Sequence, residues 1–346
     1  MNEPIRHIQT IIVGAGPAGS VCGYILAKNK RECLIIERKE FPREKLCGGG
    51  LTPKSVHLLN RIYSHLQYNY QTIYQMEVYS PKQMLASFRM TEGIRTVVRK
   101  DFDNVLLDQY KSVGGEVLHA KVASIEEKDG KIYLTLGDKT VMSCDTLIGA
   151  DGANSVVRKY IDPDRKKGLV WMEKSVTDKS QKNIKIFFDK RYKAGYGYVF
   201  PNTNGYVTGY GHSNTPTLEE FDEMLSHHHL SKEGKIKGAY IPTMDNIEYP
   251  FRKNIILIGD AGSYTDSVTS EGLFYAMKTG ENAATSILVD KDFSLVNEKI
   301  ILRIRKIRKL AILFYSSYGQ WIFYHASKRK SLYKLICEKI DLYIAK

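Results

Sequence analysis

The stretch Gly14-Ala15-Gly16-Pro17-Ala18-Gly19 decides the fold of this chain. It is a GxGxxG pattern with β-rich apolar residues before it, at 10–13. A helical pattern follows at 20–28, and a second apolar segment runs from 33 to 37. This order of strand, glycine turn, helix and strand predicts a βαβ unit at the start of an α/β domain.

Each part of this βαβ unit suits a dinucleotide. The glycines permit a tight turn and a close backbone approach to a pyrophosphate, and the helix N-terminus offers N–H groups and a partial positive charge. Glu37, at the end of the second strand, can accept hydrogen bonds from ribose hydroxyls. The alternative is a glycine turn that binds nothing, which the flanking strand and helix disfavour. FAD folds and NAD folds share this motif, so it does not tell them apart.

Strands and helices alternate through the first half of the chain, and the pattern then changes. Residues 183–212 have a period of two with many aromatic side chains, which predicts antiparallel strands with one covered face. The chain then returns to the first domain. The predicted strands are 76–79, 117–126, 132–136 and 254–258, and the predicted helices are 102–112 and 271–287.

Two later segments place an aspartate beside a glycine after a strand, at 147–158 and 255–262. With the N-terminal unit they resemble the three fingerprints of FAD-dependent oxidoreductases of the para-hydroxybenzoate hydroxylase fold. The resemblance implies that Asp260 binds the ribityl or pyrophosphate part of FAD. It also implies that Asp151-Gly152 lies where FAD and NAD(P)H sites meet, and that Arg99 contacts the flavin.

The segment Cys47-Gly48-Gly49-Gly50 narrows the resemblance. Three successive glycines remove side-chain bulk where a backbone passes close to something flat. The segment is similar to the CGGG loop of the geranylgeranyl reductases. Tyr196-Gly-Tyr-Val-Phe-Pro201 is similar to their YxWxFP strand, with Tyr198 in place of the tryptophan. The resemblance covers residues 10–285.

The resemblance implies two sets of site residues. The cofactor-binding set is Gly14, Ala15, Gly16, Pro17, Ala18, Gly19, Glu37, Arg38, Cys47, Gly48, Gly49, Arg99, Val122, Asp151, Asp260 and Gly272. The substrate-binding set is Tyr196, Tyr198, Phe200 and Pro201.

The sequence departs from the family in one loop. Where members commonly read NPxTGEG, this chain has Asp266-Ser-Val-Thr-Ser-Glu-Gly272 and so lacks the proline and one glycine. A β-carbon at Ser270 restricts positive φ, which puts the shape of this loop in question.

Two predicted site features each have a plainer explanation. Cys47 is either a thiol beside the flavin that donates a proton, a catalytic role, or a small buried apolar side chain. Tyr196, Tyr198 and Phe200 alternate along a strand and therefore share one face, which lines an apolar substrate cavity or simply packs in the core.

Cysteine and histidine patterns indicate no metal site. Five cysteines at scattered spacing form neither a disulfide framework nor a CxxC pattern. The adjacent residues His227, His228 and His229 do not converge on one ion, and a solvated helix end explains them.

Basic charge is concentrated at the C-terminus. Residues 299–346 hold twelve Lys or Arg and two acidic residues, so +10 of the net charge of +13 lies there, among Ile, Leu, Phe, Tyr and Trp. The apolar runs are too short to span a membrane. The segment either lies on an anionic membrane surface or packs as helices on the FAD domain, and the absence of a recognition fold argues against nucleic acid.

The predicted fold class is α/β, with a Rossmann-like FAD-binding domain interleaved with an antiparallel-sheet substrate domain and a C-terminal helical segment. The predicted boundaries are 1–75, 95–170 and 250–295 for the FAD-binding domain, 76–94 and 171–249 for the substrate domain, and 296–346 for the basic segment.

The resemblance implies a flavoprotein that reduces carbon–carbon double bonds of an isoprenoid, polyene or other lipid-like substrate, with NAD(P)H or another donor reducing the FAD. A flavin monooxygenase that uses O₂ is the first alternative, because fold does not separate the two. A non-catalytic flavin-binding protein at a membrane is the second. No secretory signal is recognisable, so a cytoplasmic location is expected, with peripheral membrane binding as an option.

Overall fold

A computed structural model describes residues 5–45, 47–81, 83–164, 168–189, 194–213, 215–242, 254–326 and 330–345. Of residues 326, 330 and 331 only the backbone is described. The chain divides into two compact units, each built from three separate segments. The first unit is Met1–Arg43, Asp103–Lys167 and Pro242–Lys306, and the second unit is Glu44–Phe102, Gly168–Ile241 and Ile307–Lys346.

The first unit is built on a seven-stranded sheet with the strand order β6-β2-β1-β9-β8-β7, in which β15 also pairs with β9. The pairs among β6, β2, β1, β9 and β15 are parallel, and the β7, β8, β9 pairs are antiparallel. The strands are β1 Arg6–Val13, β2 Cys33–Glu37, β6 Glu116–His119, β7 Val122–Lys128, β8 Lys131–Leu136, β9 Val141–Gly149 and β15 Ile255–Leu257.

Helix α1 is the crossover between the parallel strands β1 and β2, and helices α6 and α7 follow the last strand, β15. Ile11, Leu147 and Ile255 are fully buried in its core, as expected for strands covered on both faces. The helices are α1 Pro17–Lys28, α3 Arg99–Ser112 (which the chain enters from the second unit), α4 Val156–Ile161, the 3₁₀ turn Gly259–Gly262, α6 Leu273–Leu288 and α7 Phe293–Val296.

The second unit contains an eight-stranded sheet in the order β14-β10-β13-β12-β11-β4-β5-β3. Every pair is antiparallel except β11 with β4. The strands are β3 Gly50–Leu51, β4 Gln71–Tyr79, β5 Met84–Thr96, β10 Leu169–Val176, β11 Ile184–Phe187, β12 Gly195–Asn202, β13 Gly205–His212 and β14 Lys237–Ile241.

Four helices accompany this sheet, and a further helix, α8, runs along the chain from the first unit into the second. Helix α5 begins with a capping box, in which Thr217 accepts from the N–H of Glu220 and the Glu220 carboxylate accepts from the N–H of Thr217. The helices are α2 Pro53–Ile62, α5 Leu218–His227, α8 Glu298–Tyr315, α9 Ser317–Ala326 and α10 Lys330–Ala345.

The predicted fold class is confirmed, since a βαβ start, an interleaved second sheet and a helical C-terminus are all present. The predicted strand at 117–126 is two strands, β6 and β7, that break near Ala120. The predicted helix at 102–112 starts three residues earlier, at Arg99.

The predicted domain boundaries need two corrections. Residues 44–75 and 95–102 belong to the second unit because β3 and β4 pair with β5. The basic C-terminal segment is not one body, since it divides between the units after Lys306. Helix α10 packs on the sheet of the second unit through Cys337 and Ile344.

Candidate functional site

The glycine turn of the first unit connects β1 to α1 as predicted. The N–H of Gly14 donates to the carbonyl of Ile36 on β2 (2.8 Å), which closes the βαβ turn. Gly16 is the N-cap of α1 and places no side-chain cap on the helix end. Among the described residues, a Cβ on Gly16 would meet only Nη2 of Arg43 within 4 Å, at 3.5 Å, so these residues leave the space open. An open helix N-terminus of this kind suits an anionic group.

Glu37 is tied to the same turn. Its buried carboxylate accepts from the N–H of Ala15 (2.8 Å) and from the N–H of Lys39 (2.9 Å). These bonds fix the carboxylate beside the turn and leave lone pairs for ribose hydroxyls. Arg38, also predicted to bind the cofactor, is exposed.

Arg43 is a residue of this region that the sequence analysis missed. Its guanidinium forms an ion pair with the fully buried Asp103 (3.4 Å) and stacks on the ring of Phe41 (4.6 Å). These contacts hold a cation near Gly16, where a pyrophosphate would add negative charge. The ion pair cannot be recognised from the sequence because Asp103 lies sixty residues further along the chain.

The three fingerprints meet in the first unit. A Cβ on Gly259 would lie 3.1 Å from the Cβ of Ala18 in α1, and the N–H of Gly259 donates to Oγ1 of Thr279 in α6 (2.9 Å). A Cβ on Gly272 would lie 3.4 Å from Oδ1 of Asp260. The turn after β15 is therefore packed between α1 and α6, beside the glycine turn.

The two carboxylate oxygens of Asp151 differ in their hydrogen bonding. Its Oδ2 accepts from the N–H of Val156 (2.6 Å), whereas Oδ1 is buried and has no hydrogen-bond partner among the described residues. Burial raises the pKa of Asp151, although hydrogen bonds from Ser155 and from backbone N–H groups lower it. An unpaired buried acceptor is costly, which fits a position that a bound cofactor satisfies.

The loop that departs from the family's sequence has a left-handed residue at the position in question. Ser270 adopts φ +54°, so it takes the left-handed conformation without being glycine. Asp266 holds the loop, since its Oδ1 accepts from the N–H groups of Val268 (2.8 Å) and Thr269 (2.9 Å). A side-chain anchor thus replaces the missing proline.

Val122 begins β7, and its side chain lies in the hydrophobic core of the first unit. Any contact with a cofactor would therefore come from its backbone.

In the second unit two of the three glycines of the CGGG segment, Gly48 and Gly50, lie against an aromatic ring of the chain itself. A Cβ on Gly48 would lie 3.0 Å from Cδ2 of Phe200, and one on Gly50 would lie 2.8 Å from its Cε1. Gly49 has φ +71°, and its N–H donates to Sγ of Cys47 (3.4 Å). The flat groups that these glycines approach include aromatic side chains of β12.

The aromatic residues of β12 share one face, as predicted. Trp171, Tyr196 and Tyr198 form one buried cluster with Phe200 packed against it, and successive ring centroids on β12 lie 6.3 and 5.3 Å apart. Val199 points to the opposite face, where α5 packs. Pro201 continues the strand opposite Tyr206.

Glu173 is a second residue that the sequence analysis missed. It is buried on β10, and its Oε1 accepts a short hydrogen bond from the phenol of Tyr198. Burial raises its pKa to about 7, although the Tyr198 bond and the charges of Lys45 and Arg99 lower it. Arg99 itself is buried at the start of α3.

Other candidate sites fit less well. A cavity of about 610 Å³ beside α5 has a mixed lining, with aromatic side chains such as Phe187 and Phe188 and carboxylates such as Asp189 and Glu219. His228 stacks on Phe187 at 3.9 Å, and burial lowers its pKa to about 4. The three histidines are therefore not wholly solvated, because His228 is partly buried. Among the described residues no cluster of metal ligands occurs.

The predicted site residues divide between the units. The glycine turn, Glu37, Asp151, Asp260 and Gly272 belong to the first unit. Cys47, Arg99 and the β12 aromatics belong to the second.

A family model described as FAD binding domain matches residues 7–190. The chain belongs to this family. FAD is the cofactor that the family implies, and the open space at Gly16, the fixed carboxylate of Glu37 and the unpaired oxygen of Asp151 fit it. The assignment of each residue to FAD stays a prediction.

Relatives of this flavoprotein include an uncharacterised protein of Methanosarcina barkeri, 30% identical over 82% of this chain and 75% of that one. A geranylgeranyl diphosphate reductase of Rhodobacter capsulatus is 27% identical over 96% of this chain and 89% of that one. A solved geranylgeranyl bacteriochlorophyll reductase-like structure from Thermoplasma acidophilum has a TM-score of 0.70 and 18% identity, covering 99% of this chain and 92% of that one. The resemblance to geranylgeranyl reductase-like FAD-dependent oxidoreductases is confirmed.

In the part of the chain that the structure describes, no helix has the length and apolarity needed to cross a bilayer.

Proposed function

We propose that this flavoprotein reduces a carbon–carbon double bond of an apolar, isoprenoid-like substrate. The observation that carries the proposal is the buried aromatic face of the second unit, where Trp171, Tyr196 and Tyr198 lie together with a buried carboxyl group. Apolar walls with a few placed polar groups are typical of sites for apolar ligands. The name of the Rhodobacter relative supports the same substrate class.

Bound FAD, once reduced by NAD(P)H or another carrier, supplies a hydride. The first unit would hold the cofactor, with the α1 N-terminus and Arg43 at the pyrophosphate and Glu37 at a ribose. The aromatic face would hold the substrate and exclude water from it. The chain must also supply a proton. The candidates are Cys47, which interacts electrostatically with Tyr198, and the buried carboxyl of Glu173, which accepts a hydrogen bond from the Tyr198 phenol.

The first experiment asks what the protein does with reduced FAD. The purified protein should be yellow and release intact FAD on denaturation. Anaerobic addition of geranylgeranyl diphosphate to the reduced holoenzyme should oxidise the flavin and give a product heavier by two hydrogens. Incorporation of oxygen from ¹⁸O₂ into product would instead show a monooxygenase. Retained FAD without turnover of any isoprenoid or quinone would favour a non-catalytic role.

The role of Cys47 is tested separately. If its thiol donates the proton, Cys47→Ala should leave FAD bound and slow the single-turnover oxidation of reduced flavin by about 10²-fold. Cys33→Ala is the matched control, because Cys33 is a free thiol of the first unit that donates to the carbonyl of Gly23. Equal rates in the two variants would return Cys47 to a packing role.

A further inference from the structure

Strand β13 has a glycine where two large polar side chains need to meet. Gly209 pairs with Tyr198 of β12 on one side and with Glu173 of β10 on the other. A Cβ on Gly209 would lie 2.5 Å from Cζ and 2.6 Å from the phenol oxygen of Tyr198. The absence of this atom lets the phenol cross the middle strand and reach Glu173.

This Glu173–Tyr198 pair is shielded from water. Glu173 is 4% exposed and Tyr198 is 5% exposed. The phenol donates to Oε1 of Glu173, and Oε2 is buried without a hydrogen-bond partner among the described residues. Lys45 and Arg99 act on the carboxyl electrostatically, and Cys47 acts on the phenol.

We propose that the Glu173–Tyr198 pair is the proton source of the reduction. The proposal rests on the function proposed above and identifies the acid of that reaction. The hydride adds two electrons and one hydrogen to one carbon of the double bond, and the other carbon takes the phenol proton of Tyr198. When Glu173 is protonated, its carboxyl O–H donates to the phenol oxygen, which reverses the hydrogen bond of the ionised pair and leaves the phenol O–H free to point at the substrate. The carboxyl proton then moves to the phenol oxygen in the same step. Glu173 is left ionised until solvent returns a proton between turnovers.

The protonation behaviour of the pair supports this role. Burial, Glu173 and Cys47 raise the pKa of Tyr198 well above 10, so the phenol alone is a poor acid at neutral pH. Burial raises the pKa of Glu173 to about 7, so a large fraction of its carboxyl is protonated at neutral pH. Because Glu173 replaces the phenol proton as it leaves, no buried phenolate has to form on Tyr198.

The kinetic test compares Glu173→Gln, Tyr198→Phe and the double variant in single-turnover oxidation of the reduced holoenzyme by geranylgeranyl diphosphate. Each single variant should be slowed by about 10²-fold, and the double variant should be no slower than either, because the two residues act as one unit. The matched controls are Glu77→Gln and Tyr79→Phe, since Tyr79 donates to Glu77 (2.6 Å) elsewhere in the same sheet. These controls should react at the wild-type rate.

A second readout needs neither substrate nor turnover. A carboxyl whose pKa is about 7 when folded binds more protons in the folded state than in the unfolded state between its ordinary pKa of 4.5 and about 7. Raising the pH through this window should therefore destabilise folded wild type relative to Glu173→Gln. The ratio of folded to unfolded protein should fall about 10²-fold more for wild type than for the variant. The wild-type reaction should also slow above about pH 7, whereas Glu173→Gln should show no such limb.

The outcomes separate this inference from the proposed function. If wild type does not reduce the probe, the proposed function fails. If wild type turns over and both pair variants match the controls, or if Glu173→Gln leaves the pH dependence of stability unchanged, the pair is not the acid. Slow turnover of Cys47→Ala alone would give the role to the thiol.

A different part of the chain carries a second inference. Helix α8 buries Ile300, Ile304 and Ile307 on one face. Its opposite face is exposed and mixes apolar with basic side chains, namely Leu302, Arg305, Lys306, Lys309, Leu310, Ile312 and Leu313. Of the seventeen exposed large apolar side chains in the described residues, ten lie between Leu302 and Leu342. Exposed apolar side chains are usually scattered singly over a protein surface, whereas these are concentrated in one part of the chain.

Helix α9 adds exposed aromatic side chains. Tyr318 and Trp321 stack at 6.3 Å and are 67% and 51% exposed, and Trp321 also stacks on His325 at 4.3 Å. Aromatic rings with a polar edge favour the boundary between lipid and water. Lys328, Arg329 and Lys346, which add to the basic charge, lie outside the described residues.

We infer that the exposed face of α8 and α9 binds an anionic lipid bilayer. Basic side chains would meet lipid phosphates while the apolar and aromatic side chains enter the interface, a combination typical of helices that lie in the membrane plane. The inference stands on exposure and charge alone and does not depend on the reaction.

Trp321 is a built-in probe, because the other tryptophan of the chain, Trp171, is 1% exposed. Vesicles of phosphatidylcholine with phosphatidylglycerol should shift its emission to the blue at low salt, and pure phosphatidylcholine should not. The variant Arg305→Gln, Lys306→Gln, Lys309→Gln should partition about 10²-fold more weakly. A control with the same charge change, Lys121→Gln, Lys128→Gln, Lys131→Gln, alters exposed residues of the first unit and should bind like wild type.

Three results would overturn the inference. One is no emission shift with anionic vesicles. Another is equal weakening by both triple variants, which would make the attraction a matter of net charge. The third is a shift that follows protein concentration without vesicles, which would mean that a second copy of the chain covers this face.

Discussion

Each unit has a glycine beside its proposed site, but the two glycines are there for opposite reasons. In the first unit, the described residues place only one arginine nitrogen, at 3.5 Å, within 4 Å of a Cβ on Gly16. In the second unit, the space next to Gly209 is filled by the chain's own phenol at 2.6 Å. Gly16 leaves space for the proposed cofactor, which is not part of the chain. Gly209 leaves space for the side chain of Tyr198. Substitutions at the two positions should therefore have different consequences.

The largest effect is expected from Gly16→Val. The new side chain occupies the open space at the α1 N-terminus, so FAD retention should be lost, while the unfolding free energy of the cofactor-free protein should change by less than about 1 kcal/mol. Flavin absorbance after gel filtration and denaturant unfolding of stripped protein measure the two quantities. A variant that keeps its FAD would show that this space does not hold the pyrophosphate.

Gly209→Ala should do the reverse. Its Cβ displaces Tyr198, which should lower the unfolding free energy by about 1–3 kcal/mol through overpacking, with FAD still bound. Gly238→Ala is the matched control, because a Cβ there would come no closer than 3.8 Å, to the carbonyl oxygen of Trp171. Equal unfolding midpoints for the two variants would contradict the close approach at Gly209.

The smallest effect is expected from Ser270→Gly in the first unit. Glycine adopts positive φ without the strain that a β-carbon causes, which stabilises the folded state. Glycine is also more flexible in the unfolded chain, which offsets part of this gain, so the unfolding free energy should rise by up to about 1 kcal/mol. Lys30→Gly, at a comparable φ of +57°, should behave alike and leave flavin absorbance untouched. A loss of stability in Ser270→Gly would mean that the serine hydroxyl, not the backbone, shapes the loop.

The sequence predicted what depends on local pattern. The glycine turn, β2, α1 and the shared face of Tyr196, Tyr198 and Phe200 follow from spacing along a few residues, and the structure confirms them.

Features that depend on strand register were not predictable from the sequence. Glu173 is one acidic residue in an apolar strand, and its partner Tyr198 becomes visible only once both are aligned on Gly209. Arg43 likewise needs Asp103. The domain boundary at 44–75 was placed wrongly because β3, only two residues long, has no periodicity to show that it pairs with β5.

The contacts between α10 and β5 affect how the second unit folds during synthesis. Tyr333 donates to the carbonyl of Ser87, and Asp341 accepts from Thr91, so the contacts join residues 246 and 250 positions apart. Met90 and Ile94 of β5 share a core with Ile344. During synthesis β5 leaves the ribosome some 250 residues before this cover does. That apolar surface therefore lacks this cover while about 250 further residues are made, and a folding chain in this state is exposed to aggregation and to capture by chaperones.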